Sequence, residues 1–391
     1  MTAGLIPTAY DQQPQDVTTE VAAKAAAWDL EGTAELAVDV EADAMHAFRA
    51  RLCFVQVGTD SHIYLFDTLQ PGVTAEVLKG LCEDPKRIKY FHAAGGDLQY
   101  LAEANVRVRG LFDTHRAATL LGWAKVGLAD LVRERIGVEL KKEHQQSDFA
   151  IRPLPAAMRE YISDDVRYLC AIGRQVREQC VKADILEEVE LDCERLAEEA
   201  AARPDVGADY KPKIPKENLS AAQQKLALAI AQGVHRKRLQ WAEAANVPMG
   251  RMLSNAALAE LAVRAPTDPK VLARVPNIRG SFARQYGDEV TAIIRELVEA
   301  QRAGTMVDPE AGDRGARDPK RKKREDALKT WRSLKATSRK VTPSVVLSNS
   351  LMEELSRTPP NSVEDLAAMR WFGPKRVEYY GVELVEMLKK I

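Results

Sequence analysis

Leu36-Ala-Val-Asp-Val40, Leu52-Cys-Phe-Val-Gln-Val57 and Ile63-Tyr-Leu-Phe66 are three short runs of β-favouring residues, separated by polar segments of turn length. They predict a three-stranded meander. Beyond them the period changes. Residues 73–82 and 97–104 carry a helical pattern, with Ile88-Lys-Tyr-Phe91 as a strand between them. Helical patterns continue over 119–121, 128–136 and 155–180. A meander followed by strand–helix alternation predicts an α/β domain with a mixed sheet, spanning residues 28–202 and ending in a long charged helix from Ile185 to Ala202.

Upstream, residues 1–27 have neither the basic start nor the apolar stretch of a signal peptide and read as a flexible, polar leader. Downstream, the Pro-rich segment 203–216 reads as a linker. After it the chain repeats itself: 247–289 matches 341–383 at a constant offset of 94 without a gap, pairing Leu253-Ser-Asn255 with Leu347-Ser-Asn349, Pro266 with Pro360 and Tyr286-Gly287 with Tyr380-Gly381. Such an offset marks a duplicated helical unit, predicted over 217–303 and 325–391, with Asn255 and Asn349, or the serines before them, as helix N-caps. Residues 304–324 between the copies, with Asp318-Pro-Lys-Arg-Lys-Lys-Arg324, read as a mobile basic tether whose character extends to Ala327.

Composition excludes several classes. At 391 residues, 46% hydrophobic and 29% charged, the chain is globular and large enough for two or three domains. No apolar run approaches the roughly 18–20 residues of a membrane span. The five cysteines, Cys53, Cys82, Cys170, Cys180 and Cys193, are scattered and never spaced Cys-x-x-Cys, which suggests neither a disulfide framework nor a zinc site and points to a reducing cytosol. The net charge of −1 conceals an asymmetry: residues 304–391 hold 18 Lys/Arg against 13 Asp/Glu, and the remainder 38 against 44.

Chemistry is carried by carboxylates. Asp39 and Glu41 stand at i and i+2 on a strand and so share one face. Taken alone, they are a solvated strand end. Asp97, in His92-Ala-Ala-Gly-Gly-Asp97, follows a strand and a glycine turn at the start of a helix, where a capping aspartate is common. Tyr161 and Asp165 are i and i+4 on a helix. Each motif is weak by itself, but together they offer the oxygen ligands that hard divalent cations require in a two-metal phosphodiester site.

Asp-x-Glu, an Asp at a helix start and Tyr-x-x-x-Asp, in that order, resemble the three motifs of DEDD exonucleases, and Tyr161 matches the tyrosine subclass, since the histidine subclass would place His where Glu160 stands. Leu140-Lys-Lys142-Glu-His-Gln-Gln-Ser147-Asp148-Phe149-Ala-Ile-Arg152-Pro153-Leu154, Arg49-Ala-Arg51-Leu-Cys-Phe-Val-Gln56 and Phe112-Asp113-Thr114 are similar to ribonuclease D signatures. The duplicated unit resembles the helicase-and-RNase-D C-terminal (HRDC) domain. Phe149 replaces the usual Trp, Ile162-Ser163 the usual two alanines, and Met158 a common Gln; none of these is a ligand position.

The resemblance implies a ribonuclease H-like exonuclease domain followed by two all-α helical-bundle HRDC-like domains. It implies a 3′-5′ exoribonuclease that releases nucleoside 5′-monophosphates with two divalent metal ions, Mg²⁺ or Mn²⁺. Asp39, Glu41 and Asp165 would hold one ion and Asp39 with Asp97 the other, while Tyr161 would orient the attacking water and Glu41 could meet the terminal 3′-hydroxyl. Candidate RNA contacts are Lys142, Arg152 and Arg167 in the exonuclease domain. In the second repeat they are Arg332, Lys335, Arg339 and Lys340, with Trp331 and Trp371 as stacking platforms. The expected partners are RNA 3′ ends, tRNA precursors foremost, acted on by a cytoplasmic monomer that contacts no membrane. Competing readings are a single-stranded DNA exonuclease of repair and a catalytically silent RNA-binding scaffold; the intact carboxylate set argues against the latter.

Overall fold

The computed structural model describes residues 10–140, 144–202, 210, 212–215, 217–309 and 318–391. The described residues fall into two compact units, those within 1–42, 52–203 and 318–391 and those within 43–51 and 204–317.

The first unit is built on a mixed sheet. β1 (Gln15–Val17) and α1 (Glu20–Asp29) precede the meander β2 (Glu35–Ala42), β3 (Leu52–Gly58) and β4 (Ile63–Asp67). A 3₁₀ turn (Ala75–Leu78), α2 (Lys79–Glu83), β5 (Ile88–Phe91), α3 (Asp97–Glu103), β6 (Leu111–Asp113) and α4 (Thr114–Leu120) follow. Then come α5 (Leu128–Arg135), α6 (Ala156–Arg167), α7 (Leu169–Lys182) and α8 (Leu186–Ala201). Strand order is β1-β4-β3-β2-β5-β6. The β2–β3 and β3–β4 pairings are antiparallel, whereas β1–β4, β2–β5 and β5–β6 are parallel. The leader expected over 1–27 is therefore not flexible in its second half. Val17 pairs with Phe66, and Ala23, Ala26 and Leu30 enter the core, so a segment too short and polar to read as structure is held by its neighbours.

The second unit contains α9 (Ala221–Ala244), α10 (Met249–Met252), α11 (Asn255–Arg264), α12 (Pro269–Leu272) and α13 (Gly280–Arg302) around Trp241, Leu258, Leu261 and Phe282. Residues 43–51 belong with it: Phe48 joins this core, and its N–H donates to Asn246.

The last five helices, α14 (Arg321–Arg339), α15 (Pro343–Val346), α16 (Asn349–Arg357), α17 (Val363–Ala368) and α18 (Pro374–Lys389), complete the first unit. Here the expected tether is shorter than its charge suggested. Arg321 onward is helical, and Arg324 is buried, donating to the Ser356 carbonyl and pairing with Asp318. These helices pack on α8, where the fully buried Glu188 meets Arg339 at 2.7 Å and Lys375 at 3.2 Å.

The two copies share one internal tie. Arg238 donates to the Leu253 carbonyl at 2.9 Å and to Asn255 Oδ1 at 2.8 Å; Arg332, 94 residues on, donates to the Leu347 carbonyl at 3.0 Å and Asn349 Oδ1 at 2.9 Å. Because the asparagines receive arginine, the N-caps are the preceding Ser254 and Ser348, which accept from Ala257 and Leu351.

Candidate active site

Asp39 and Glu41 project from one face of β2, and a register shift after Glu41 ends the regular pairing with β3, the kind of irregularity that re-aims side chains at strand ends. On this face lies α6. Its approach is permitted by Gly58 of β3, where a Cβ would sit 2.8 Å from the Val166 carbonyl oxygen. The close contact delivers Tyr161 and Asp165, one turn apart. Carboxylate oxygens of Asp39, Glu41 and Asp165 come within 4.8 Å of one another.

Asp97 arrives from the other side, as the first residue of α3. The turn before it is held by Asp113, whose Oδ1 and Oδ2 accept the N–H groups of Ala93 and Ala94, each at 3.0 Å. Ala93 takes a left-handed φ of 62°, unusual for a residue with a Cβ. The same Asp113 carboxylate caps α4 by accepting from His115 and Arg116. One side chain thus fixes both the turn that aims Asp97 and the helix behind it.

All four carboxyls keep their protons to higher pH than an ordinary Asp or Glu. Burial is the first cause for each, followed by mutual repulsion for three of them: Glu41 is raised further by Asp39, Asp165 and Asp97; Asp97 by Asp39, Asp113 and Asp165; Asp165 by Asp39 and Asp164. The Tyr161 phenol is also raised, by burial and then by Asp165, Glu41 and Asp39, so it stays protonated and can act as a hydrogen-bond donor. Hard oxygen donors crowded this closely suit divalent cations, whose charge would relieve the repulsion.

A cavity of about 320 Å³ opens over this cluster. Besides the expected residues, its walls include His92 and the first turn of α5 from Gly127. His92 stood in the quoted Asp97 motif, but nothing in its spacing announced a role, and α5, legible as a helix over 128–136, gave no sign of a place at the site. Phe149, a departure from the signature, is buried and stacks on Tyr161 with centroids 6.3 Å apart. A larger cavity of about 670 Å³, near the Arg107–Leu111 segment and α8, contains none of the four carboxylates.

The candidate RNA contacts are placed differently. Lys142 lies outside the described residues. Arg152 is bound to Asp67 at 2.6 and 2.7 Å and to the carbonyls of Phe149, Ile151 and Cys53. Arg167 pairs with Asp164 and Glu160, Lys335 with Glu383, and Arg339 with Glu188, while Arg332 serves the helix tie described above. Trp331 is buried and donates to Glu383; Trp371 is half-buried beneath the Arg370 guanidinium. Of these groups, only Asp39, Glu41, Asp165 and Tyr161 line the cavity; Asp97 is not among its walls, although its charge raises Glu41.

Comparison with known proteins agrees with this division. A 3′-5′ exonuclease family model matches residues 14–180, and an HRDC domain model matches 227–294 and 321–388. The chain is 31% identical over 301 residues to ribonuclease D of Gluconacetobacter diazotrophicus, covering 74% of this chain and 75% of that one. It is 34% identical to human exosome complex component 10 over 37% of this chain, a match that spans only 16% of the human protein. Its fold is similar to that of the Escherichia coli RNase D crystal structure, with a TM-score of 0.69, 21% identity, and 97% and 99% of the two chains covered.

Proposed function

From the premise that this chain belongs to the ribonuclease D family, whose members are hydrolytic 3′-5′ exoribonucleases, we propose that Asp39, Glu41, Asp97 and Asp165 hold two divalent cations, Mg²⁺ or Mn²⁺, and that tRNA precursors are the RNA attacked. The observation that carries the site assignment is the approach of Asp39, Glu41 and Asp165 to within 4.8 Å, in a cavity also lined by Tyr161. Bound there, the cations supply an activated water and stabilise the departing 3′ oxygen.

The chain's own groups do the rest. Tyr161, protonated and wedged against Phe149, donates a hydrogen bond that orients the water. Glu41, at the rim of the strand, receives the terminal 3′-hydroxyl, which makes a free 3′ end a requirement. The cavity admits a single nucleotide in size, consistent with release of nucleoside 5′-monophosphates one at a time. No helix among the described residues is long and apolar enough to cross a membrane, and all five cysteines are free and buried, which supports residence in a reducing cytosol; we take the acting species to be a monomer.

The test is a 5′-labelled tRNA-like RNA with a 3′ extension, offered with Mn²⁺, Mg²⁺ or EDTA. Stepwise shortening that EDTA stops and that Asp39→Ala abolishes is the expected result. Shortening that survives Asp39→Ala would remove the assignment. Equal action on a matched RNA lacking tRNA structure would remove the substrate class alone.

A further inference from the structure

His92 is fixed in one protonation form by a chain of two hydrogen bonds. Thr114 has a single hydroxyl proton, and its Oγ1 lies 3.0 Å from the Phe91 carbonyl oxygen, an atom that only accepts. The proton must point there, because the alternative sets two acceptors against each other. His92 Nδ1, 2.9 Å from the same Oγ1, therefore carries its own proton and donates it. Burial also pushes the His92 imidazole down to about 4, so the ring stays neutral where ribonucleases work, and His115 braces it edge-on with centroids 5.5 Å apart.

The remaining nitrogen, Nε2, is then a lone-pair acceptor. The residue lines the same cavity as Asp39, Glu41, Tyr161 and Asp165. His92 does not belong with Asp39, Glu41 and Asp165 in the group able to ligate a cation. What it needs is a donor from the substrate. An enzyme that removes successive nucleotides must meet every base in turn, so the donor it reads has to be common to all four. That leaves the ribose hydroxyls, and the 2′-hydroxyl is the one that distinguishes RNA from DNA.

We propose that His92 Nε2 accepts a hydrogen bond from the 2′-hydroxyl of the 3′-terminal nucleotide, making His92 a specificity-determining residue for RNA. The assignment rests on the exonuclease reading of the same cavity. One neutral hydrogen bond is expected to give a roughly 3- to 10-fold preference in kcat/KM for removal of a terminal ribonucleotide over a terminal 2′-deoxynucleotide on an otherwise identical RNA.

His92→Phe, which keeps a ring but offers no acceptor, should lower the rate on the ribose end to that on the deoxy end and bring the ratio to about 1. Losing the Thr114 contact would slow both ends alike, so the ratio of the two rates is the readout, and general damage to the fold would leave that ratio at its wild-type value. His92→Gln, with a carbonyl acceptor, should retain part of the ratio. Wild-type enzyme supplies an independent arm: a terminal 2′-fluoro nucleotide, which cannot donate, should behave like the deoxy end. A 2′-fluoro end removed as fast as ribose overturns the assignment, as does a wild-type ratio of 1 or a His92→Phe variant that keeps the wild-type ratio. No shortening of any oligonucleotide would overturn both this assignment and the exonuclease reading beneath it.

Discussion

At the scale of the residue, the four carboxyls make an acidic site a load on the fold. Each is raised above its ordinary value, so from about pH 4 upward the folded chain holds more protons than the unfolded one. Stability of the cation-free protein must then fall as pH climbs from 4 toward the raised values. In EDTA the melting temperature should be lower at pH 8 than at pH 5, and Mn²⁺ should reduce the difference. Asp165→Asn removes one member of the repulsion, so at pH 8 in EDTA it should stabilise by on the order of 2 kcal/mol, or about 4–8 °C. It should abolish shortening at the same time. Calorimetry in both buffers checks the sign; a melting temperature that rises from pH 5 to pH 8 in EDTA would contradict it. Asp39, Glu41, Asp97, Tyr161 and Asp165 could be singled out in the sequence because their order and spacing resemble the motifs of DEDD exonucleases. His92 could not, since its role depends on Thr114, 22 positions away, and on which atom of a shared hydrogen bond carries the proton. Arg152 and Arg332 read as phosphate ligands for the converse reason: sequence shows a charge but not Asp67 or Asn349 waiting for it.

At the scale of the element, a glycine sets how closely α6 approaches the sheet that carries Asp39 and Glu41. Gly58→Ala would drive a methyl group into the Val166 carbonyl, and the strain would be relieved by moving α6, which carries Tyr161 and Asp165. A cost of roughly 1–3 kcal/mol in stability is expected. A loss of about tenfold or more in single-turnover rate should accompany it, because displacements near 1 Å cost catalysis more than folding. Rapid-quench kinetics beside a denaturation curve would separate the two. In the repeats, Ser254→Ala and Ser348→Ala should each cost about 1 kcal/mol as lost N-caps, measurable by urea titration. The meander β2–β4 was legible because its apolar runs are long enough to carry a pattern. β1 and β6 were not: at three residues each they have no periodicity of their own and exist through pairing with β4 and β5. The start of α14 was hidden for another reason, since a run of lysines and arginines reads as solvated until Arg324 is seen inside.

At the scale of the whole molecule, the last five helices are fastened to α8 by the buried Glu188 and, at an exposed edge, by Asp184 just before that helix. Glu188 faces Arg339 and Lys375, while Asp184 receives Lys375 and the Tyr379 hydroxyl. Removing one partner of such a cluster strands the others, so Glu188→Ala should cost roughly 3–5 kcal/mol. It should also expose residues 318–391 to trypsin before the exonuclease fold is lost; simultaneous loss of both would show that α8 and these helices do not separate. The duplication gives this contact a history. Both copies preserve the arginine–asparagine tie, but the positions of Arg339, Lys375 and Tyr379 are Ala245, Ser281 and Gln285 in the first copy. The interiors differ elsewhere, since the core residues Trp241 and Phe282 correspond to Lys335 and Arg376. Arg339, Lys375 and Tyr379 are what the second copy presents to α8 and the turn before it.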